Sequence, residues 1–352
     1  MKIRILNISE PSNESDAYSE AARIIRAGGL VAFPTETVYG LGANALDPCA
    51  AKKIYAAKGR PSDNPLIVHT AYPEDIFQYG FPDEAGLAEK ICDAFMPGPI
   101  TVVLKKKSMI PDEVTGGLDT VALRCPSDPS AHRFLEACGV PIAAPSANLS
   151  GKPSPTRASH VIHDLDGRID AIICGPDSLI GLESTIVSVS AGTVKLLRPG
   201  FVTLEQLTDL CGHVEVDKAV TSKLADNERP LAPGMKYKHY APSAPVTMVS
   251  GSDDAVIRCF NEALGRGEGV ICYEEDKPAL SRSRGRIAVM GSKSDPVSQA
   301  KALFDCLRSL DVEDLKAIYA RFPSREGVGL AVFNRLIKAC GFTVLDLGGK
   351  EC

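Results

Sequence analysis

Two cations stand two residues apart at Lys58-Gly59-Arg60, and a hydroxyl and an amide are spaced the same way at Ser146-Ala147-Asn148. An ammonium beside a planar guanidinium suits phosphate oxygens, lysine as a point charge and arginine as a bidentate fork. Serine and asparagine add donors to the same acceptors. Each pair also has a plainer reading. Cations gather at helix C-termini through the dipole, and Pro145 to Asn148 would make an ordinary surface turn. Spacing alone leaves both readings open. In Phe33-Pro-Thr-Glu-Thr-Val-Tyr-Gly-Leu-Gly42, Gly40 and Gly42 permit close approach of a ligand, and Thr35 offers it a hydroxyl; turn chemistry is the alternative. His69 closes the apolar run Leu66–Val68, where it could orient a substrate, move a proton near neutral pH, or serve only the structure. Arg124 ends Val121–Leu123, with Thr120 four residues before it, and burying that arginine demands a carboxylate or a phosphate. Ser184-Thr185 opens one strand-like run and Arg198-Pro-Gly200 closes the next. His160 and His163 lack a third ligand nearby, so no metal site is expected there.

These residues need elements to carry them. Apolar runs at Leu30–Phe33, Leu66–Val68, Ile100–Leu104, Val121–Leu123, Ile142–Ala144, Ala171–Ile173, Thr185–Val189 and Val194–Leu197 predict strands. Helical patterns lie between several of them, including Ser19–Ala27. Asp47 and Pro48 start a helix that must end before Pro61, which sets Lys58 and Arg60 at its exit. Were that exit extended, both cations would project to one side. Ser146 follows the end of a strand, where α/β sites form. The fold class is α/β, with an open, twisted, mixed sheet over residues 1–220. Residues 221–245 are proline-rich and read as a linker holding Lys236-Tyr-Lys-His-Tyr240. From 246 to 352 a second alternation predicts a smaller Rossmann-like domain, whose last helix has Gly341 as C-cap. No GxGxxG or Walker pattern occurs in it, so a nucleotide site is not expected there.

The bulk properties agree with this division. A chain of 352 residues exceeds one usual α/β domain. A formal charge of −5 weighs against a protein that coats nucleic acid, though Lys52-Lys53 and Lys105-Lys-Lys107 leave room for weak RNA binding. The eleven cysteines include no CxxC and read as small hydrophobes of a reduced, cytoplasmic protein. No apolar run approaches membrane-spanning length.

Taken together, Lys58-x-Arg60 and Ser146-x-Asn148 within FPTETVYGLG, KGRPSDNPL, PGPITVVL, PSANLSGKPSPT and STIV…LLRPG resemble the YrdC-type family of threonylcarbamoyl-AMP synthases. APGMKYKHYAP and the final GVGLAVFNRLIKAC helix resemble its longer, two-domain version. The resemblance implies that L-threonine, bicarbonate (or carbon dioxide) and ATP give threonylcarbamoyl-adenylate and pyrophosphate. A transferase partner would then modify adenosine beside the anticodon of tRNA. It further implies Lys58, Arg60, Ser146 and Asn148 as the catalytic set, and Thr35, His69, Arg124 and Ser184 as the threonine pocket. Arg60, Asn64, Thr120, Ala144, Ser146, Ser154 and Arg198 would bind ATP together with Lys58. Tyr240, and with it Lys238, would close over the nucleotide as a lid. Magnesium would arrive with the triphosphate, with no dedicated protein metal site.

Overall fold

Side chains on a strand alternate between two faces, so each strand of a covered sheet must suit two environments. In the computed structural model, which describes residues 2–8, 11–222, 232–233, 239–281 and 284–348, that alternation divides the sheet of the N-terminal half cleanly. The chain forms two compact units, the first comprising Met1–Ser150 with Ser154–Lys236 and the second Gly151–Pro153 with Tyr237–Cys352.

The first unit runs β1 (Arg4–Asn7), α1 (Pro11–Arg26), β2 (Val31–Phe33), β3 (Gly40–Asn44), α2 (Pro48–Lys58), β4 (Ile67–His69), α3 (Ile76–Tyr79) and α4 (Leu87–Phe95). It continues with β5 (Ile100–Lys105), α5 (Asp112–Thr115), β6 (Thr120–Arg124), α6 (Pro129–Cys138), β7 (Ile142–Ala144), α7 (Ala158–Leu165) and β8 (Ala171–Cys174). Then follow β9 (Thr185–Ser190), β10 (Thr193–Arg198), α8 (Leu204–Cys211) and β11 (Val214–Val216). Its mixed sheet has the order β1-β8-β2-β3-β7-β4-β6-β5-β9-β10-β11. On one face Leu41, Ala43, Val68, Leu123, Val102 and Val187 join the main core with residues of α2, α4, α7 and α8. The opposite face is shared. Phe33, Ile142 and Ala144 pack under α1 and α6, while Ile67, Ala122, Val103, Ile186 and Leu197 form a separate cluster with Ala219 and Ala232.

Gly40 and Gly42 differ from their expected part in a ligand-contacting turn. They belong to β3, paired antiparallel with Phe33 and Val31. A Cβ on Gly42 would lie 2.8 Å from Ile142 Cγ2, and one on Gly40 would lie 3.1 Å from the Phe33 ring. The missing side chains make room for core packing rather than for a ligand.

The second unit contains β12 (Val246–Ser250), α9 (Asp253–Gly265), β13 (Gly269–Cys272), β14 (Arg286–Val289), α10 (Pro296–Ser309), β15 (Ile318–Arg321), α11 (Val328–Ala339) and β16 (Val344–Asp346). Its sheet is parallel throughout, in the order β14-β13-β15-β12-β16. Counted within the unit this is 3-2-4-1-5, so it is Rossmann-like in its parallel sheet but not in the 3-2-1 order of that fold's first half. α11 ends at Ala339, and the left-handed residue is Gly341 (φ 58°), just beyond the cap Cys340. Arg321 pairs with both carboxylate oxygens of Asp276 and with Asp253, which keeps a buried guanidinium fully engaged.

Candidate active site

Strand register brings the predicted residues together. His69 stands opposite Arg124 across β4 and β6, Ile67 opposite Ala144 across β4 and β7, and Gly40 forms a bridge with Ser146. By the two-residue period, Thr120, Ala122 and Arg124 share a face, as do Ile67 and His69. This is the face with the small cluster around Ile67. Thr120 also borders a cleft of about 760 Å³ with Lys105 and Ser188.

Lys58 and Arg60 do not project side by side. Gly59, with φ 62° and ψ 37°, caps α2 in the left-handed conformation and turns the chain between them. Lys58 Nζ donates to the carbonyls of Ser146 and Asn148, each at 2.5 Å, and approaches Asn148 Oδ1 at 3.4 Å. Its own carbonyl accepts from Ser150 N at 2.9 Å. One lysine thus holds the 146–150 loop at several points. Within that loop Ser146 Oγ donates to Asn148 Oδ1 at 2.6 Å, and Asn148 Nδ2 donates to Leu149 O at 2.7 Å. Arg60 turns the other way and donates to the carbonyls of Asn64 (3.3 Å) and Pro65 (3.0 Å). Asn64 is buried, and its Oδ1 has no hydrogen-bond partner among the described residues.

The residues expected to hold threonine each have partners of their own. Thr35 Oγ1 donates to Val38 O at 2.6 Å and accepts from the amides of Thr37 and Val38, so its hydroxyl shapes its own turn. Arg124 Nη2 donates to Glu36 Oε1 at 2.7 Å, and both side chains are 5% exposed. Of the carboxylate or phosphate that a buried arginine requires, the fold supplies the carboxylate. Ser184 Oγ lies 2.7 Å from Thr101 Oγ1 and accepts from Arg198 Nη2 at 3.2 Å. Arg198 also donates to Ser184 O and Pro233 O, both at 3.1 Å. Ser154 Oγ donates to the Glu183 carboxylate. Tyr240 lies in the second unit with φ 66°, an unusual backbone for a bulky residue, and its ring packs on Phe304 at 5.2 Å. Lys238 lies outside the described residues.

Burial, and then the Arg124 charge, push the His69 pKa from 6.5 down to about 3, so the ring is neutral in the folded protein. Its Nδ1 lies 3.0 Å from Ile67 O. The unfolded chain takes up this proton near pH 6.5 and the folded chain only near 3. The contribution to stability is therefore complete above 6.5 and drains as pH falls. From pH 7 to 5 this one group should cost about 2 kcal/mol. Urea unfolding at both pH values measures it, and His69→Gln should remove most of the difference.

Glu36, Glu183 and Thr101 are polar, buried and engaged with the predicted residues, yet sequence reasoning did not select them. For the two glutamates the available signal was a charged side chain inside a stretch otherwise fit for burial, whereas Thr101 gave none. The lysine clusters considered for RNA are largely tied down. Lys52 pairs with Glu113 at 3.1 Å, Lys106 pairs with Asp112, and Lys107 donates to Phe77 O. Among the described residues, no three His, Cys, Asp or Glu side chains group to hold a metal. No described helix is long and apolar enough to cross a membrane.

Known proteins resemble this chain along nearly its whole length. Residues 23–200 match the Sua5/YciO/YrdC family model, described as telomere recombination, and residues 202–341 match the threonylcarbamoyl-AMP synthase C-terminal domain. The chain is 45% identical to threonylcarbamoyl-AMP synthase of Bacillus subtilis over 343 residues, 96% of each chain. It is also 45% identical to that of Pyrococcus abyssi over 340 residues, 93% of this chain and 95% of the relative. The solved structure of P. abyssi Sua5 complexed with L-threonine matches with a TM-score of 0.89 and 42% identity, covering 99% of this chain and 100% of that one. With matched motifs along nearly its whole length, the chain belongs to the Sua5/YciO/YrdC family, in the two-domain form of the threonylcarbamoyl-AMP synthases.

Proposed function

We propose that this chain converts L-threonine, bicarbonate (or carbon dioxide) and ATP into threonylcarbamoyl-AMP and pyrophosphate, for modification of adenosine beside the tRNA anticodon. The observation that carries the reading is the stapling of the Ser146–Asn148 loop by Lys58, on a sheet that also presents Arg124 and a neutral His69. The threonine nitrogen, having released its ammonium proton to solvent, adds carbon dioxide and loses a second proton to give an N-carboxylate. One of its oxygens then forms a bond to the α-phosphorus, the bond to the bridging oxygen breaks, and pyrophosphate leaves. Such chemistry gains chiefly from positioning and from charge already in place.

Each residue then has a task. Arg124 receives the threonine carboxylate, with Ser184, Thr35 and His69 completing the pocket. Lys58 fixes the loop that presents Ser146 and Asn148 to the phosphates and adds its own positive charge. Arg60 and Arg198 add further charge, and the open Oδ1 of Asn64 accepts a nucleotide N–H. Thr120, Ala144 through its backbone, and Ser154 line the rest of the nucleotide site. Magnesium enters with ATP as part of the substrate. The adenylate passes to a transferase in the cytoplasm.

The test is pyrophosphate release with each substrate omitted in turn. The reading requires threonine, bicarbonate and ATP together; release unchanged without threonine would remove it.

A further inference from the structure

The pair between Glu36 and Arg124 uses only half of the carboxylate. Oε1 accepts from Arg124 at 2.7 Å, whereas Oε2 is buried with no hydrogen-bond partner among the described residues. A buried carboxylate oxygen without a donor is rare enough in native proteins to need a reason. Slack in the loop does not supply one. Ile180 N donates to Glu36 O at 2.8 Å, and the flanking Thr35 and Thr37 hydroxyls lie 2.8 Å apart. Nor do the described neighbours named by its contacts and field offer a second cation. His69 is neutral, and Asp128, a further acidic group that raises the negative field here, is spent on the Ser130 and Ala131 amides at the start of α6.

We propose that Glu36 Oε2 receives the ammonium group of the amino-acid substrate, while Arg124 receives its carboxylate. The inference rests on the threonine reading of the site and extends it by one residue. An α-amino acid carries both charges close together and can insert into an existing ion pair, turning one buried pair into two. Glu36 thereby fixes the nitrogen that is to be carboxylated and selects amino acids over hydroxy acids. An alternative gives the opposite sign: if Glu36 only competes for Arg124, its removal would tighten threonine binding.

Glu36→Gln is the decisive variant, since the amide oxygen can still accept from Arg124. The readout is the KM for threonine and for ATP in pyrophosphate release, with parallel binding of threonine and 2,3-dihydroxybutanoate, its hydroxyl analogue. Loss of a charge-assisted hydrogen bond should raise the threonine KM by about ten- to a hundredfold and leave the ATP KM nearly unchanged. The wild type should prefer threonine over the analogue, and the variant should lose that preference. An unchanged or lower threonine KM overturns the proposal. Should Glu36→Gln fail to fold, Glu36→Asp, which keeps the charge, must still prefer threonine; equal binding of the two ligands overturns the proposal as well. Wild-type release that ignores threonine would instead refute the functional reading. Threonine-dependent release with no effect at Glu36 would refute this assignment alone.

Discussion

Lys58→Met should lower threonine-dependent pyrophosphate release by about two to three orders of magnitude, the usual loss when a positioned electrostatic contact is removed. Methionine keeps most of the length and none of the charge. The carbonyls of Ser146 and Asn148 lose a shared donor, and the loop presenting both side chains is free to relax. Each buried carbonyl left unsatisfied costs about 1–3 kcal/mol, so a lower urea midpoint should accompany the lost turnover. Lys58→Arg should not restore activity, because a planar fork cannot replace a compact ammonium reaching carbonyls from several directions. Turnover within tenfold of wild type in Lys58→Met would show that the loop is held by other means.

The second large effect belongs to Arg124. Arg124→Leu leaves Glu36 as a buried charge without its counter-ion, and breaking such a pair from one side typically costs about 3–5 kcal/mol. Chemical denaturation should show that loss, and threonine-dependent turnover should vanish. The double change Arg124→Leu with Glu36→Leu separates stability from function. Replacing both partners by apolar residues is often neutral, so most of the stability should return while activity stays lost. Recovery of turnover in the double variant would contradict the assigned role of Arg124.

Most strands were legible because their apolar runs are long enough to declare themselves. Predicted runs such as Ile100–Leu104 and Ile142–Ala144 match β5 and β7 closely, and Asp47 caps α2 by accepting from Cys49 N as expected. β3 was not legible. Gly40-Leu-Gly-Ala-Asn44 has little intrinsic preference for a strand and becomes one only between β2 and β7, whose side chains need the space above its glycines. α1 starts at Pro11, well before the apolar period at Ser19–Ala27, and its buried face already includes Ala17 and Tyr18.

The site was legible as a set of residue types rather than as a geometry. Lys58 and Arg60 suggested neighbours because their spacing is two, yet a single left-handed glycine sends them to different loops. Arg124 announced its need for an anion, but its partner Glu36 lies far away in sequence and is hidden between two threonines that resemble a turn. Contacts of that range leave no local signal. They follow only from the sheet order β2-β3-β7-β4-β6, which brings the β2–β3 connection towards the end of β6.

In the proposed reaction the threonine N-carboxylate, and not the threonine carboxylate, attacks the α-phosphate. Incubation with threonine, ATP and ¹³C-bicarbonate, followed by mass spectrometry of the adenylate, tests it directly. The expected product is a threonylcarbamoyl-AMP that carries the heavy carbon and forms in step with pyrophosphate. An adenylate of threonine itself, without label, would contradict it.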